Sequence, residues 1–184
     1  MRMNSFKFED QLKMSQGVSA SADVKTILLN NIPGAVNVHE SAEVNDKSGI
    51  DWWIEMNTAR FLAVDAKVRV TDWAATHSKE DDIALESWSV VEKQVIGWTR
   101  DTSKQCDYVL WLWKSTGRFC LIPFAMLCKV FMEKWQDWKK SYKTSQQFTK
   151  RDNGGYHSEC IFVPRRVVWA EIYKRYSGQQ LYLK

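Results

Sequence analysis

The sequence predicts a mixed α/β domain built on one central sheet, and three observations predict it. Two runs, Ile50–Met56 and Phe61–Val70, alternate apolar and polar residues and are joined by a short turn, the mark of a half-buried hairpin. A second pair, Tyr108–Trp113 and Arg118–Ile122, flanks the turn residues Ser115-Thr116-Gly117. A long segment opened by Pro123 then carries Phe124, Leu127, Phe131, Trp135 and Trp138 at spacings of three and four, the period of an amphipathic helix. The chain of 184 residues is 45% hydrophobic and 26% charged, which is the composition of one globular domain and excludes disordered and collagen-like chains.

Taken in order, the first thirty residues read as helical. Phe6, Phe8 and Leu12 share a face, and Ser21-Ala22-Asp23 opens a second run, Val24–Leu29, stopped by Asn30-Asn31-Ile32-Pro33-Gly34. Ala35–His39 is a short strand, and Asp46-Lys47-Ser48-Gly49 has turn chemistry. After the first hairpin, Ile83–Val91 is a third strand. The helix from Pro123 runs to about Tyr142, and the polar stretch Lys143–His157 reads as a loop. Glu159–Val163 is a short buried strand, and Pro164 opens a last helix carrying Val168, Ile172 and Tyr176. No repeat and no linker divides the chain, so residues 1–184 are expected to form a single domain.

The net charge of +4 hides an uneven distribution. Residues 1–128 hold 14 basic and 17 acidic side chains, and residues 129–184 hold 12 and 5, so the C-terminal third is basic at +7. A basic third suits a polyanionic partner, and equally a solvated helix and tail. The four cysteines show no C-x-x-C pairing and read as buried free thiols of a reducing, cytoplasmic compartment. The N-terminus has no apolar leader, and the most apolar stretch, Tyr108–Val130, is broken by Lys114, Arg118, Pro123 and Lys129. Neither a secretory signal nor a membrane span is expected. His39, His77 and His157 have no paired spacing, and no nucleotide-binding or hydrolase glycine motif occurs.

The hairpin carries the candidate chemistry. Along the second strand Leu62, Val64, Ala66, Val68 and Val70 are apolar, which leaves Asp65, Lys67 and Arg69 on the opposite face. On the first strand Asp51, Trp53 and Glu55 share a face. A loop of odd length centred on Thr58 pairs residues whose numbers sum to 116 and sets Asp51 across from Asp65, about 5 Å apart at Cβ. An even loop would send one carboxylate into the core, which costs several kcal/mol. Two facing carboxylates repel unless a cation lies between them, and Mg²⁺ prefers one or two carboxylates with water and phosphate oxygens. A lysine two residues on is placed to orient a water or to stabilise the charge of a phosphate under attack. Of three D-x-K triplets, only Asp65–Lys67 lies on a predicted strand; Asp23–Lys25 and Asp137–Lys139 fall on helices, where i and i+2 do not share a face.

The Gly49-Ile50-Asp51 strand, the turn, the apolar Val64-Asp65-Ala66-Lys67 strand and an acidic helical segment upstream resemble the PD-(D/E)XK nuclease superfamily. The likeness extends over residues 5–175 to small phage and bacterial endonuclease-like members, through Asp82–Ser87, Gly97-Trp98, Thr102–Val109 and Arg118–Pro123. It implies a restriction-endonuclease-like fold, a central mixed sheet flanked by helices, and Mg²⁺-dependent hydrolysis of DNA phosphodiesters, with Mn²⁺ as substitute. Asp51 and Asp65 then match the metal-binding acids and Lys67 the catalytic lysine. Ile50 stands where the family often has proline. A helical acid is expected at Glu9 or Asp23, with Glu40 and Glu43 next, and Glu86 is a possible further acid. Lys104, Lys143, Lys150, Arg151, Arg165 and Arg166 are the expected contacts to the DNA backbone. A homodimer would let two sites cut two strands. The alternative is a catalytically inactive nuclease-like module that binds DNA or a protein partner.

Overall fold

The computed structural model describes residues 6–7, 22–42, 48–77, 80–151 and 154–176. Its strands are β1 (Phe6–Lys7), β2 (Ala35–Glu40), β3 (Trp52–Met56), β4 (Phe61–Arg69), β5 (Asp82–Val90), β6 (Val95–Ile96), β7 (Tyr108–Trp113), β8 (Arg118–Pro123), β9 (Thr144–Arg151) and β10 (Gly154–Pro164). The helices are α1 (Ala22–Asn31), α2 (Trp73–His77), α3 (Phe124–Ser141) and α4 (Arg165–Tyr176), with a 3₁₀ turn at Trp98–Arg100. The chain is thus mixed α/β. It holds two five-stranded sheets where the sequence predicts one, in the orders β2-β3-β4-β7-β8 and β1-β9-β10-β5-β6.

The first sheet is a meander, β2-β3-β4, to which β7 adds in parallel and β8 antiparallel. The parallel β4–β7 step forces a crossover, and the chain spends it on α2, β5, β6 and the 3₁₀ turn, so two strands of the second sheet lie inside the connection. Asp107 fixes where β7 begins. Its carboxylate accepts the Ala63 N–H at 2.8 Å, and its own N–H bonds the Ala63 carbonyl at 2.8 Å.

Two apolar clusters lie on the two faces of the first sheet. Val24, Leu28 and Ile32 of the α1 segment pack on Val38, Trp52, Ile54, Val64, Ala66, Leu110 and Leu112. Val109, Trp111 and Trp113 point the other way and join Ile83, Leu85, Ile161 and Val163 of the second sheet with Leu127, Phe131, Val168 and Ile172 of α3 and α4. Strand β7 supplies both clusters by alternation, so its run Tyr-Val-Leu-Trp-Leu-Trp is apolar throughout.

Two further expectations are corrected. Lys143–His157 is a hairpin: β9 pairs with β10 from Thr144↔Ile161 to Arg151↔Gly154. Its polar residues hide a strand because the ladder, rather than apolar burial, holds it; Thr149 is its one buried residue whose side chain is described. Gly155 makes room for the Phe148 ring, since a Cβ there would lie 2.4 Å from Phe148 Cζ. At the N-terminus Phe6–Lys7 is a strand parallel to β9 at Thr149 and Lys150, where a helix was expected. Phe8, Leu12 and Glu9 lie outside the described residues, as does Glu43. No helix among the described residues is long and apolar enough to cross a membrane.

Candidate functional site

The β3–β4 hairpin closes through Asn57-Thr58-Ala59, with Ala59 at φ +56°, and its pairs Trp52↔Val64, Trp53↔Ala63, Ile54↔Leu62 and Glu55↔Phe61 all sum to 116. This is the odd-loop register, a three-residue turn with its last residue left-handed. At the far end the Asp51 N–H returns to the Val64 carbonyl at 2.9 Å, so the chain bends at Asp51. The bend swings its carboxylate over β4, where it accepts the Ala66 N–H at 2.7 Å and comes within hydrogen-bonding reach of Asp65. Lys67 Nζ sits 2.7 Å from Asp65 Oδ1. Asp65 is buried at 4% exposure, whereas 27% of the Lys67 side chain reaches solvent.

The electrostatics follow from that geometry. Burial, and next the Asp65 charge, raise the Asp51 carboxyl to about 6, although Lys67 and the Ala66 N–H oppose them. Burial alone would lower the Lys67 ammonium, but the Asp65 carboxylate outweighs it, and Lys67 is held above the usual lysine value. Lys67 is therefore a charged donor at neutral pH. Cys106, whose thiol feels Asp65 and Lys67, and Cys160, whose thiol feels Glu86 and Lys67, are both pushed up to about 12, chiefly by burial. Neither is a thiolate nucleophile at neutral pH.

The 3₁₀ turn docks on β5 and supplies a wall. Gly97 lies so close that a Cβ there would stand 2.3 Å from the Glu86 carbonyl oxygen. The Glu86 carboxylate accepts the Trp98 N–H at 3.0 Å and the Ser89 hydroxyl at 2.8 Å, and the Glu86 N–H bonds Thr99 Oγ1 at 3.0 Å. The Trp98 ring so held lies 5.0 Å from Lys67 Nζ and 5.9 Å from the Trp111 ring. An ammonium over an indole face at that distance is attracted by about 0.5–2 kcal/mol.

No family model, curated protein or solved structure matches the chain. Its site is read from its own residues.

Among the described residues no three His, Cys, Asp or Glu side chains converge as metal ligands. The donor set is the two carboxylates, too few for a closed zinc site and suited to Mg²⁺, which keeps several waters. Asp23 and Glu40 are exposed, and the charges acting most on Asp51 are Asp65 and Lys67. Glu86 is engaged on the second sheet by Trp98 and Ser89.

The expected backbone-binding cations lie on several different elements. The Lys104 side chain lies over Gly49, where a Cβ would meet its Cδ at 3.0 Å. Lys143 Nζ lies 5.3 Å from the Phe162 ring. Lys150 is exposed on β9, whose last residue is Arg151. Arg165 pairs with Asp81 at 2.7 Å and Arg166 with Glu80 at 3.3 Å. Arg69, outside that set, shares the parity of Asp65 and Lys67 on β4.

Proposed function

We propose that the chain is a divalent-metal-dependent nuclease that hydrolyses DNA phosphodiesters at Asp51, Asp65 and Lys67. One observation carries the reading: in the observed register the two acids meet on one face, with the lysine beside them on the next inward position of β4. The mixed first sheet, with α1 on one face and α3 and α4 in the cluster on the other, supports a restriction-endonuclease-like core. The second five-stranded sheet is an addition to that core.

Asp51 and Asp65 would hold a Mg²⁺, which when bound supplies Lewis-acid polarisation of a phosphodiester oxygen. Asp65 also anchors Lys67 at 2.7 Å, and Trp98 limits its sweep from the other side. Because Lys67 stays charged, its role is to donate to the phosphate as negative charge builds on it, rather than to take a proton from water. The buried Asp65 and the Ala66 N–H bonded to Asp51 keep both acids in place without the substrate.

Asp65→Asn and Lys67→Met test the reading against labelled linear, circular and branched DNA, and against RNA, with Mg²⁺ or Mn²⁺. Each should cut the cleavage rate by about 100-fold or more, with the far-ultraviolet circular dichroism unchanged. Nicking of the circle marks an endonuclease. A variant that cleaves at the wild-type rate sinks the mechanism. A wild-type chain that cleaves none of the substrates yet binds DNA or protein tightly is the inactive module instead.

A further inference from the structure

Arg69 stands two residues beyond Lys67 on β4, about 6.6–6.8 Å along the same face. Its side chain is exposed, and among the described residues no carboxylate forms an ion pair with it. Arg118 holds Asp72 and Asp81, and Arg165, Arg166 and Arg175 hold Asp81, Glu80 and Glu133; Arg100 has no such partner but is bonded to the Ser87 carbonyl and held between Trp88 and Trp135. Its charged neighbour on this face is Lys67, which repels it. The Cys160 thiol of β10, which is near enough to act on it, stays protonated at neutral pH and offers no charge.

Arg69 is also dehydrated by the surrounding protein, which lowers its pKa, although its surface reaches solvent. Partial desolvation opposes its ionisation, and no carboxylate among the described residues pairs with it to offset that. A guanidinium kept in that state is poised for an external anion.

We propose that Arg69 is a phosphate-binding residue: its guanidinium takes the backbone phosphate next to the one engaged at Asp51, Asp65 and Lys67. The assignment rests on the nuclease reading and extends it, since it gives the substrate a direction, along β4 past Lys67 toward Val70. Arginine suits the task because its planar fork binds two phosphate oxygens at once, where a lysine offers a point charge.

The test is binding of fluorescein-labelled duplex and single-stranded oligonucleotides by the full chain, followed by anisotropy across a salt series with Ca²⁺ in place of Mg²⁺. Arg69→Gln should weaken duplex binding about tenfold and lower the slope of log K against log salt by about 0.9, or by about 0.7 on a single strand. Arg69→Lys should keep the slope and lose affinity, and Lys129→Gln, an exposed position on α3, should change little. Thermal melts of all three variants verify that they are folded. If wild type binds and cleaves while Arg69→Gln keeps both affinity and slope, the Arg69 assignment is wrong and the nuclease reading stands. If wild type neither binds nor cleaves, the nuclease reading fails and the assignment with it.

Discussion

At Asp51 a single carboxyl couples stability to pH and, on the proposed reading, to metal. Its value of about 6, raised by burial and then by Asp65, lies above the unfolded value of 3.8, so the folded chain holds the proton longer than the unfolded chain does. Below about pH 4 both states are protonated and the group contributes nothing. As pH climbs from about 4 to about 6 the metal-free fold loses about 1–3 kcal/mol, and the loss is complete above that range. Asp51→Asn removes the charge and keeps an oxygen for the Ala66 N–H. It should therefore raise the melting temperature at pH 7–8 without metal, with the advantage vanishing below about pH 4. Mg²⁺ should stabilise wild type and not the variant, and melting curves with and without EDTA measure both effects. The residues of this pair were legible in the sequence because period two and one odd loop length determine which side chains face each other. The bend that brings Asp51 over Ala66 was not legible, since it depends on the Val64 carbonyl taking the Asp51 N–H.

At the scale of elements, the 3₁₀ turn shows how backbone fit positions a side chain. Gly97 leaves no room for a Cβ against β5, and the Glu86 carboxylate holds the Trp98 N–H, so the indole beside Lys67 is set by main-chain packing. Gly97→Ala must push the turn off β5. A destabilisation of about 1–3 kcal/mol is expected, together with a fall in the single-turnover cleavage rate larger than any loss of DNA affinity. Chemical denaturation and rapid-quench kinetics check the two parts. Sequence spacing could name Trp98 and Glu86 as unusual, but their meeting joins segments twelve residues apart through a turn without periodicity. The β9–β10 hairpin escaped for a related reason. Thr144-Ser-Gln-Gln carries no apolar alternation, and partners on both sides, β1 and β10, make it a strand.

At the scale of the molecule, β7 is shared between two cores. Leu110 and Leu112 belong to the α1 side, and Val109, Trp111 and Trp113 to the side of the second sheet. Ile54→Ala and Phe131→Ala delete fully buried side chains in different cores. Each should cost about 2–5 kcal/mol, and the double variant should cost their sum within about 0.5 kcal/mol. Because β7 ties the cores together, urea denaturation should show one transition by circular dichroism and by fluorescence; two separated transitions would contradict this. Charge reads differently at this scale than it does along the chain. Lys134, Lys139, Arg165, Arg166 and Arg175 of the basic third all face carboxylates, and Asp81 and Glu80 come from the acidic portion. Lys134, Lys139 and Arg175 pair within that third, with Glu171, Glu159 and Glu133, so only Arg165 and Arg166 set its excess against the acidic portion. A composition split cannot register this, because it has no knowledge of which segments meet.

Seven of the ten tryptophans, a surplus in the composition, have clear places in the fold: Trp52, Trp111, Trp113 and Trp138 are buried, Trp88 and Trp135 flank the Arg100 guanidinium at 4.5 and 4.2 Å, and Trp98 attends Lys67. The last of these makes the site visible to light. An indole 5.0 Å from an ammonium and 5.9 Å from a second indole emits according to where that charge rests and how energy passes between the rings. Any ligand that draws Lys67 away from Asp65 alters that emission, so occupancy can be followed in the unlabelled protein, with Trp98→Phe as the dark reference.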